Sequence, residues 1–275
     1  MTLDSSMWIW LPLCLAIIFA FCHQTKLSIA FIAVSLIGGF IESKINTIGL
    51  ITLGTGLTVA YRIPTLQGRW KLLGYLFVVV WSATLFLHLI PGFSNAKVLD
   101  AVTAGERSIP FTMHLNLDKP FVFFGLLFAY PSLLGSKEVF NKKAILYSAV
   151  PLFSLLLIAW WIGPLSPELS LPSWWWLFLL NNFLLTCVAE EAFFRGFLQQ
   201  VLCKKYGWHL GVAIASLLFG LAHMGGGLLL VVFASLAGLG YGLIFHFSSR
   251  LWVAVLFHFL FNFTHLLFFT YPMMK

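Results

Sequence analysis

Polar connections divide the chain of 275 residues into ten apolar segments, each of 15 to 24 residues. A helix needs ~20 apolar residues to cross the hydrocarbon of a bilayer, and about 17 to 25 is the usual range. The ten segments are Met7 to Cys22, Leu27 to Ile41, Ile45 to Tyr61, Trp70 to Ile90, Phe121 to Gly135, Ala144 to Gly163, Trp174 to Phe197, His209 to His223, Gly227 to Phe247 and Leu251 to Thr270. The second, fifth and eighth are short, so the sequence predicts eight to ten spans.

The composition excludes a water-soluble globular protein. Hydrophobic residues make up 60% of the chain and charged residues only 9%, whereas soluble domains average ~45 to 50% and ~25%. The 25 charged side chains cannot cover the surface of a globule of this length. We therefore predict an all-α polytopic membrane protein with a bundle of about 8–10 transmembrane helices.

The net charge of +7 comes from basic residues scattered between the apolar segments, which indicates topology rather than nucleic-acid binding. If the loops alternate between the two sides of the membrane, one side carries ten basic residues and the acid Glu138, and the other carries five basic residues and six acids. The positive-inside rule assigns the first side to the cytoplasm. The ten basic residues are Lys26, Arg62, Arg69, Lys71, Lys137, Lys142, Lys143, Lys204, Lys205 and Arg250. Both termini then lie outside, provided that all ten segments cross.

Three features outside this pattern have structural interpretations. The residues before the first apolar segment include Asp4 but no lysine or arginine, which predicts a retained span rather than a cleaved signal peptide. The long connection from Pro91 to Asp118 is predicted to be a solvated loop with an interfacial helical turn. The cysteines lack CxxC spacing and are predicted to be buried free thiols; they are Cys14, Cys22, Cys187 and Cys203.

Three charged residues lie inside the seventh apolar segment, namely Glu190, Glu191 and Arg195. An ionisable side chain at membrane depth costs roughly 2.5 to 3.5 kcal/mol, so such a group indicates a functional site. Glu191 and Arg195 are four residues apart and can form an ion pair along a helix. Glu190 is rotated by ~100° from Glu191 and has no basic residue three or four positions away. We expect Glu190 to face a polar cavity or groups from other spans.

The candidate partners of Glu190 are polar residues in two later apolar segments. His223 follows Phe219 by one helical turn, so the phenyl ring can orient the imidazole. His258 and Asn262 are four residues apart and share a helical face. At ~1.5 Å of rise per residue, Glu190 and these three residues all lie within about 10 Å of the bilayer midplane. The sequence thus predicts a central polar cavity in the bundle.

These residues form an ordered set of motifs: EEAFFR (190–195) fits EExxxR, FGLAH (219–223) fits FxxxH, and HFLFN (258–262) fits HxxxN. With these motifs the chain resembles the CPBP family of intramembrane CAAX prenyl endopeptidases and bacteriocin-processing proteins, also called the Abi family. The segments GLGYG (238–242) and SSRLW (248–252) add to the similarity, which covers about residues 144–270. We therefore divide the chain into an N-terminal transmembrane region of unassigned role (1–143) and a CPBP-like catalytic transmembrane domain (144–275).

The resemblance implies an intramembrane protease that hydrolyses a peptide bond of a membrane-associated peptide or protein. Glu190 would activate water together with His223, and His258 and Asn262 would stabilise the oxyanion as neutral donors. Glu191 and Arg195 would position the helix and the carboxylate end of the substrate. The implied setting is the bilayer of a bacterial inner (cell) membrane, in which the protein is multi-pass, and no nucleic acid is involved.

Other functions are open at this point. We expect no cofactor, but two histidines and a glutamate are also ligands for zinc, although the spacing lacks HExxH. A membrane transporter with an intramembrane Glu/His relay is a second class, although its paired interrupted helices are missing from the pattern. A third is a non-catalytic bacteriocin-immunity or scaffold protein, although every motif position is intact.

Overall fold

The computed structural model describes residues 5–136 and 140–275. Within these residues the chain forms ten helices and a two-stranded sheet. The elements are α1 (Trp10–Phe21), α2 (Thr25–Ile41), α3 (Thr47–Arg62), α4 (Gly68–Phe86), β1 (Ala96–Val102), β2 (Phe111–Leu115), α5 (Phe121–Ala129), α6 (Lys142–Trp161), α7 (Trp175–Tyr206), α8 (Trp208–Leu221), α9 (Leu228–Ser248) and α10 (Leu251–Phe268). A 3₁₀ turn, Ser5–Ile9, leads into α1. Asn46 and Asn141 cap α3 and α6 by accepting hydrogen bonds from backbone N–H groups of the first turn.

Each of the ten apolar segments contains one helix, which confirms the helical fold. Five helices of the described chain are long and apolar enough to cross a membrane by length and composition: α4, α6, α7, α9 and α10. The apolar helices Ser5–Phe21, Thr25–Ile41 and Trp208–Leu221 are shorter. The chain is therefore a multi-pass integral membrane protein.

The fifth predicted span is wrong in its extent. The segment from Phe121 to Gly135 is helical only as α5, which has nine residues and is about 13.5 Å long at ~1.5 Å per residue. The helix ends because Tyr130 precedes Pro131, and its backbone is extended (φ −131°, ψ 92°). A helix of this length does not cross the hydrocarbon alone.

The connection from Pro91 to Asp118 also departs from prediction, because it forms β1 and β2 instead of a helical turn. Burial alternates along β2: Met113 and Leu115 are buried, whereas Thr112 and His114 are exposed. This period of two is typical of a strand with one buried face, and it is visible in the sequence FTMHL.

The four cysteines are free thiols, as predicted. Cys14 and Cys187 are buried and Cys203 is partly buried. Cys22 is exposed, so the prediction of burial is wrong there, because this residue follows the last turn of α1.

Loops that the charge pattern assigns to one side bind each other. On the predicted outer side, Asn46 N donates to Gly92 O (2.9 Å) and Ser94 N donates to Lys44 O (2.9 Å). On the predicted cytoplasmic side, Ser136 N donates to Ser249 O (2.7 Å). Each pairing joins loops that an even number of predicted spans separates, and neither pairing depends on the fifth span. Three residues used in that assignment, Asp4, Lys137 and Glu138, lie outside the described residues.

A second outer contact joins Glu168 to the loop after β1. Ser108 Oγ donates to Glu168 Oε2 (2.6 Å) and Arg107 N donates to Glu168 Oε1 (2.8 Å). Partial burial alone would raise the pKa of Glu168, but these hydrogen bonds and the charges of Arg107 and Lys275 together hold it below its ordinary value. The carboxylate thus stays ionised and connects the two loops.

The structure divides into two compact units. The first comprises residues 1–100, 112–131 and 184–189, and the second comprises residues 101–111, 132–183 and 190–275. The predicted boundary between residues 143 and 144 stays a prediction. In the second unit, buried side chains of α6, α8 and α9 meet around Leu152, Phe219 and Tyr241.

In the first unit, the buried indole ring of Trp81 lies between two glycines. A Cβ atom at Gly56 of α3 or at Gly125 of α5 would overlap ring atoms of Trp81. The absence of a side chain at both positions lets α3 and α5 approach the ring, which is only 5% exposed. A Cβ at Gly54, two residues earlier in α3, would meet nothing within 4 Å among the described residues.

We expect Gly56→Ala to destabilise the protein by about 1 to 3 kcal/mol, because the ring has no room to move. Gly54→Ala is the matched control, and it should leave stability unchanged or raise it, since alanine favours a helix by roughly 0.5 to 1 kcal/mol over glycine. Thermal unfolding of both variants in the same detergent measures the difference. Equal midpoints for the two variants would contradict this packing.

Candidate active site

The helix α7 carries the three intramembrane charges and is irregular around them. It runs as π-helix over Leu180–Cys187, as α-helix over Val188–Glu191, and again as π-helix over Ala192–Gln199. A π turn bonds i to i+5 and so holds one more residue than an α turn, and such turns are frequent at functional sites. The two glutamates lie on the single α turn between the π segments, an irregularity that the sequence pattern did not reveal.

Glu191, Arg195 and His258 form a buried charged network. Arg195 Nη1 donates to Glu191 Oε1 (2.9 Å), and His258 Nδ1 contacts the same oxygen at 2.8 Å. Arg195 Nη2 donates to the carbonyl of Gly238 in α9 (2.9 Å). The side chains of Glu191 and Arg195 are 0% exposed and that of His258 is 6% exposed. The predicted ion pair is thus present, and it joins α7 to α9 and α10.

Aromatic rings enclose this network. The Arg195 guanidinium lies over the ring of Phe219, at 4.4 Å from Cζ to the centroid, and at 5.3 Å from that of Tyr241. Tyr241 also stacks on His258, with centroids 4.5 Å apart and planes 18° apart. Cation–π contact stabilises the buried guanidinium, and stacking fixes the plane of the imidazole.

Glu190 has a different environment from its neighbour. Its Oε2 lies 4.0 Å from His258 Nε2, on the opposite edge of the imidazole from Glu191. Its side chain is 14% exposed, whereas that of Glu191 is 0% exposed. His258 therefore lies between two carboxylates, of which Glu190 retains some exposed surface and Glu191 has none.

The hydrogen bonds determine which nitrogen of His258 carries a hydrogen. Glu191 Oε1 also accepts from Arg195, so this carboxylate acts as an acceptor and His258 Nδ1 must be the donor. In the neutral ring Nε2 then has a lone pair, and it bears a hydrogen only in the imidazolium form.

The second histidine is oriented by its own helix. His223 Nδ1 contacts the carbonyl oxygen of Phe219 at 2.8 Å, and the two rings are 4.7 Å apart. A carbonyl only accepts, so Nδ1 carries the hydrogen and Nε2 is an acceptor in the neutral ring. Phe219 also packs edge-on against His258 at 5.7 Å, so one phenyl ring contacts both imidazoles. The predicted orientation of His223 by Phe219 is confirmed.

Asn262 lies one helical turn after His258, as predicted. Its Nδ2 donates to the side-chain Oδ1 of Asn182 in the first π segment (3.2 Å). Asn182 was not among the predicted residues, although an asparagine inside an apolar segment is a signal that could have found it. Gln199, whose buried Nε2 donates to the carbonyl of Gly242, was not predicted either.

No three His, Cys, Asp or Glu side chains lie close enough to hold a metal ion anywhere in residues 5–136 and 140–275. His223 contacts the backbone of Phe219, whereas His258 lies against Glu190 and Glu191. The expectation that the protein needs no metal ion stays a prediction.

This arrangement defines a multi-pass membrane protein with a buried ionisable site on three helices. The sequence model of the family described as "Type II CAAX prenyl endopeptidase Rce1-like" matches residues 172–264, about a third of the chain. The match contains all six predicted site residues and confirms the resemblance to the CPBP family over this segment. At the level of the family it implies a membrane protease of CAAX type. Searches of curated proteins and of solved structures found no match.

The buried network generates a stability prediction. Glu191→Met leaves the Arg195 charge buried without its counter-ion, and we expect a loss of about 3 to 5 kcal/mol. The double variant Glu191→Met/Arg195→Met removes both charges at similar volume and should recover most of that loss. Thermal unfolding in detergent provides the comparison. A double variant as unstable as Glu191→Met would contradict the assignment of Arg195 as the group left uncompensated.

Proposed function

We propose that this protein is an intramembrane endopeptidase that hydrolyses a peptide bond of a membrane-associated peptide or protein by glutamate-activated water. One observation carries the proposal: of two adjacent glutamates, Glu190 is accessible and Glu191 is buried in an ion pair. A general base must reach water, whereas a buried paired carboxylate can only orient its neighbours. The family match to CAAX-type endopeptidases supports the hydrolysis of a peptide bond.

In the proposed reaction, Glu190 takes a proton from a water molecule, and the oxygen of that water attacks the carbonyl carbon of the peptide bond. His223 Nε2 accepts a hydrogen bond from the second hydrogen of the water and so orients its lone pair. When the tetrahedral intermediate collapses, the C–N bond breaks and the proton held by Glu190 passes to the leaving amine. Protons and charges balance in each step, and no further reactant is required.

His258 and Asn262 would stabilise the oxyanion of the intermediate. Both were predicted to donate as neutral groups, but a neutral His258 that donates from Nδ1 to Glu191 has no hydrogen on Nε2. His258 Nε2 can donate only when the ring is an imidazolium. Counted as ionised, the two glutamates and Arg195 sum to −1, so a protonated His258 makes the group neutral.

The first test replaces the proposed base without changing its size. Glu190→Gln should lower cleavage about 10²- to 10⁴-fold, because an amide cannot accept a proton from water. The probe is a fluorogenic peptide with a farnesylated CAAX carboxyl terminus, cleaved by purified protein in nanodiscs. Its unprenylated form shows whether the lipid is recognised.

Glu106→Gln is the control for this test, since it makes the same chemical change at an exposed loop position. We expect it to cleave at the parental rate. Melting temperatures of both variants separate chemistry from stability. If Glu190→Gln also cleaves at the parental rate, Glu190 is not the base and the proposed mechanism is wrong.

The second test concerns metal dependence. Since water activation is assigned to Glu190 and His223, we expect cleavage to survive exhaustive treatment with chelators. Metal analysis of the purified protein accompanies the assay. About one zinc ion per chain, with activity lost on chelation and restored by zinc, would overturn the glutamate mechanism.

A further inference from the structure

We infer that Asn182 is a positioning residue that fixes the orientation of the Asn262 amide, an inference that rests on the proposed function. The two residues lie 80 positions apart, on α7 and α10. Asn262 Nδ2 donates to Asn182 Oδ1 at 3.2 Å, and both side chains are partly buried. Asn182 lies within the matched segment but in none of the three motifs.

The chemistry of the amide gives this hydrogen bond a consequence. A carboxamide presents two hydrogens on one side and an acceptor oxygen on the other, and a half-turn about its last bond exchanges them. An oxyanion is stabilised by the nitrogen side and repelled by the oxygen side. Because Oδ1 of Asn182 accepts a hydrogen bond, it favours the orientation in which the nitrogen side of the Asn262 amide, and not its oxygen side, is available to an oxyanion. An amide nitrogen carries two hydrogens, so the bond to Asn182 and a bond to an oxyanion can use the same nitrogen.

The π segment explains how Asn182 reaches this place. Eight residues of regular α-helix would rotate Asn182 by about 80° from the face of Glu190, since each residue turns ~100°. A π-helix turns through a smaller angle per residue, which brings the two residues toward one face. The irregular stretch Leu180–Cys187 therefore aligns an amide acceptor with the charged turn that follows it.

The experiment measures kcat and KM of the reconstituted full chain with the same fluorogenic peptide. We expect Asn182→Leu, which removes the acceptor at similar size, to lower kcat about tenfold with KM unchanged. The loss of one ordinary hydrogen bond in the transition state slows a reaction by about this factor. Asn182→Asp keeps an acceptor and should restore cleavage to within about threefold of the parent. The control is Asn181→Leu, the same change one position earlier in the same π segment, which should leave kcat at the parental value.

Coupling with Asn262 separates positioning from general damage to the helix. In an Asn262→Ala background, Asn182→Leu should cause no further loss, since the group that it orients is already absent. Multiplicative losses in the double variant would overturn the inference, and so would a parental kcat for Asn182→Leu or equal impairment of Asn182→Asp. If Asn182→Leu does not fold, Asn182→Ala replaces it in both backgrounds with the same expected outcomes.

Failure of this inference differs from failure of the proposed function. If Glu190→Gln is inactive and Asn182→Leu cleaves at the parental kcat, the endopeptidase stands and Asn182 has no positioning role. If Glu190→Gln remains active, the proposed function itself fails, whatever the result at Asn182.

Discussion

A single buried carboxylate organises the site. One oxygen of Glu191 binds both the Arg195 guanidinium and the His258 imidazole. Removing charges from water is expensive, and the cost is offset only when each has its partner in place. The network spans three helices, because Arg195 also donates to the carbonyl of Gly238. The same contacts therefore hold α7, α9 and α10 together and place the imidazole of His258.

Two adjacent glutamates have different environments in this structure. Both are carboxylates on one α turn, yet Glu191 is enclosed by cationic and aromatic groups and Glu190 retains an accessible surface. Their rotation about the helix axis places them on opposite edges of His258. A difference in burial between chemically identical groups is a common way for a site to divide the work of a base from that of an orienting residue.

The sequence predicted those parts of the molecule that depend on simple periodicity. Apolar length located the ten helices, and charge at membrane depth drew attention to Glu190, Glu191 and Arg195. Tertiary bonding was not predictable in the same way. Nothing in the spacing states that His258 gives its hydrogen to Glu191, or that Asn262 meets Asn182 across 80 residues. Pro131 indicated the early end of α5, but the length of the apolar segment favoured a full span. The alternation in FTMHL indicated a strand, but the polarity of the connection favoured a loop.

The π segments of α7 have a consequence for how this chain is compared with others. Each π turn accommodates one residue more than the α turn that it replaces. A protein with a regular helix at this place would hold an amide and a carboxylate in the same relative positions with one residue fewer between them. An alignment of the two would need a single-residue gap inside an uninterrupted membrane helix, a place where gaps are normally forbidden. Equivalent residues before and after Leu180–Cys187 are therefore identified by direction around the helix axis and not by their number along the chain.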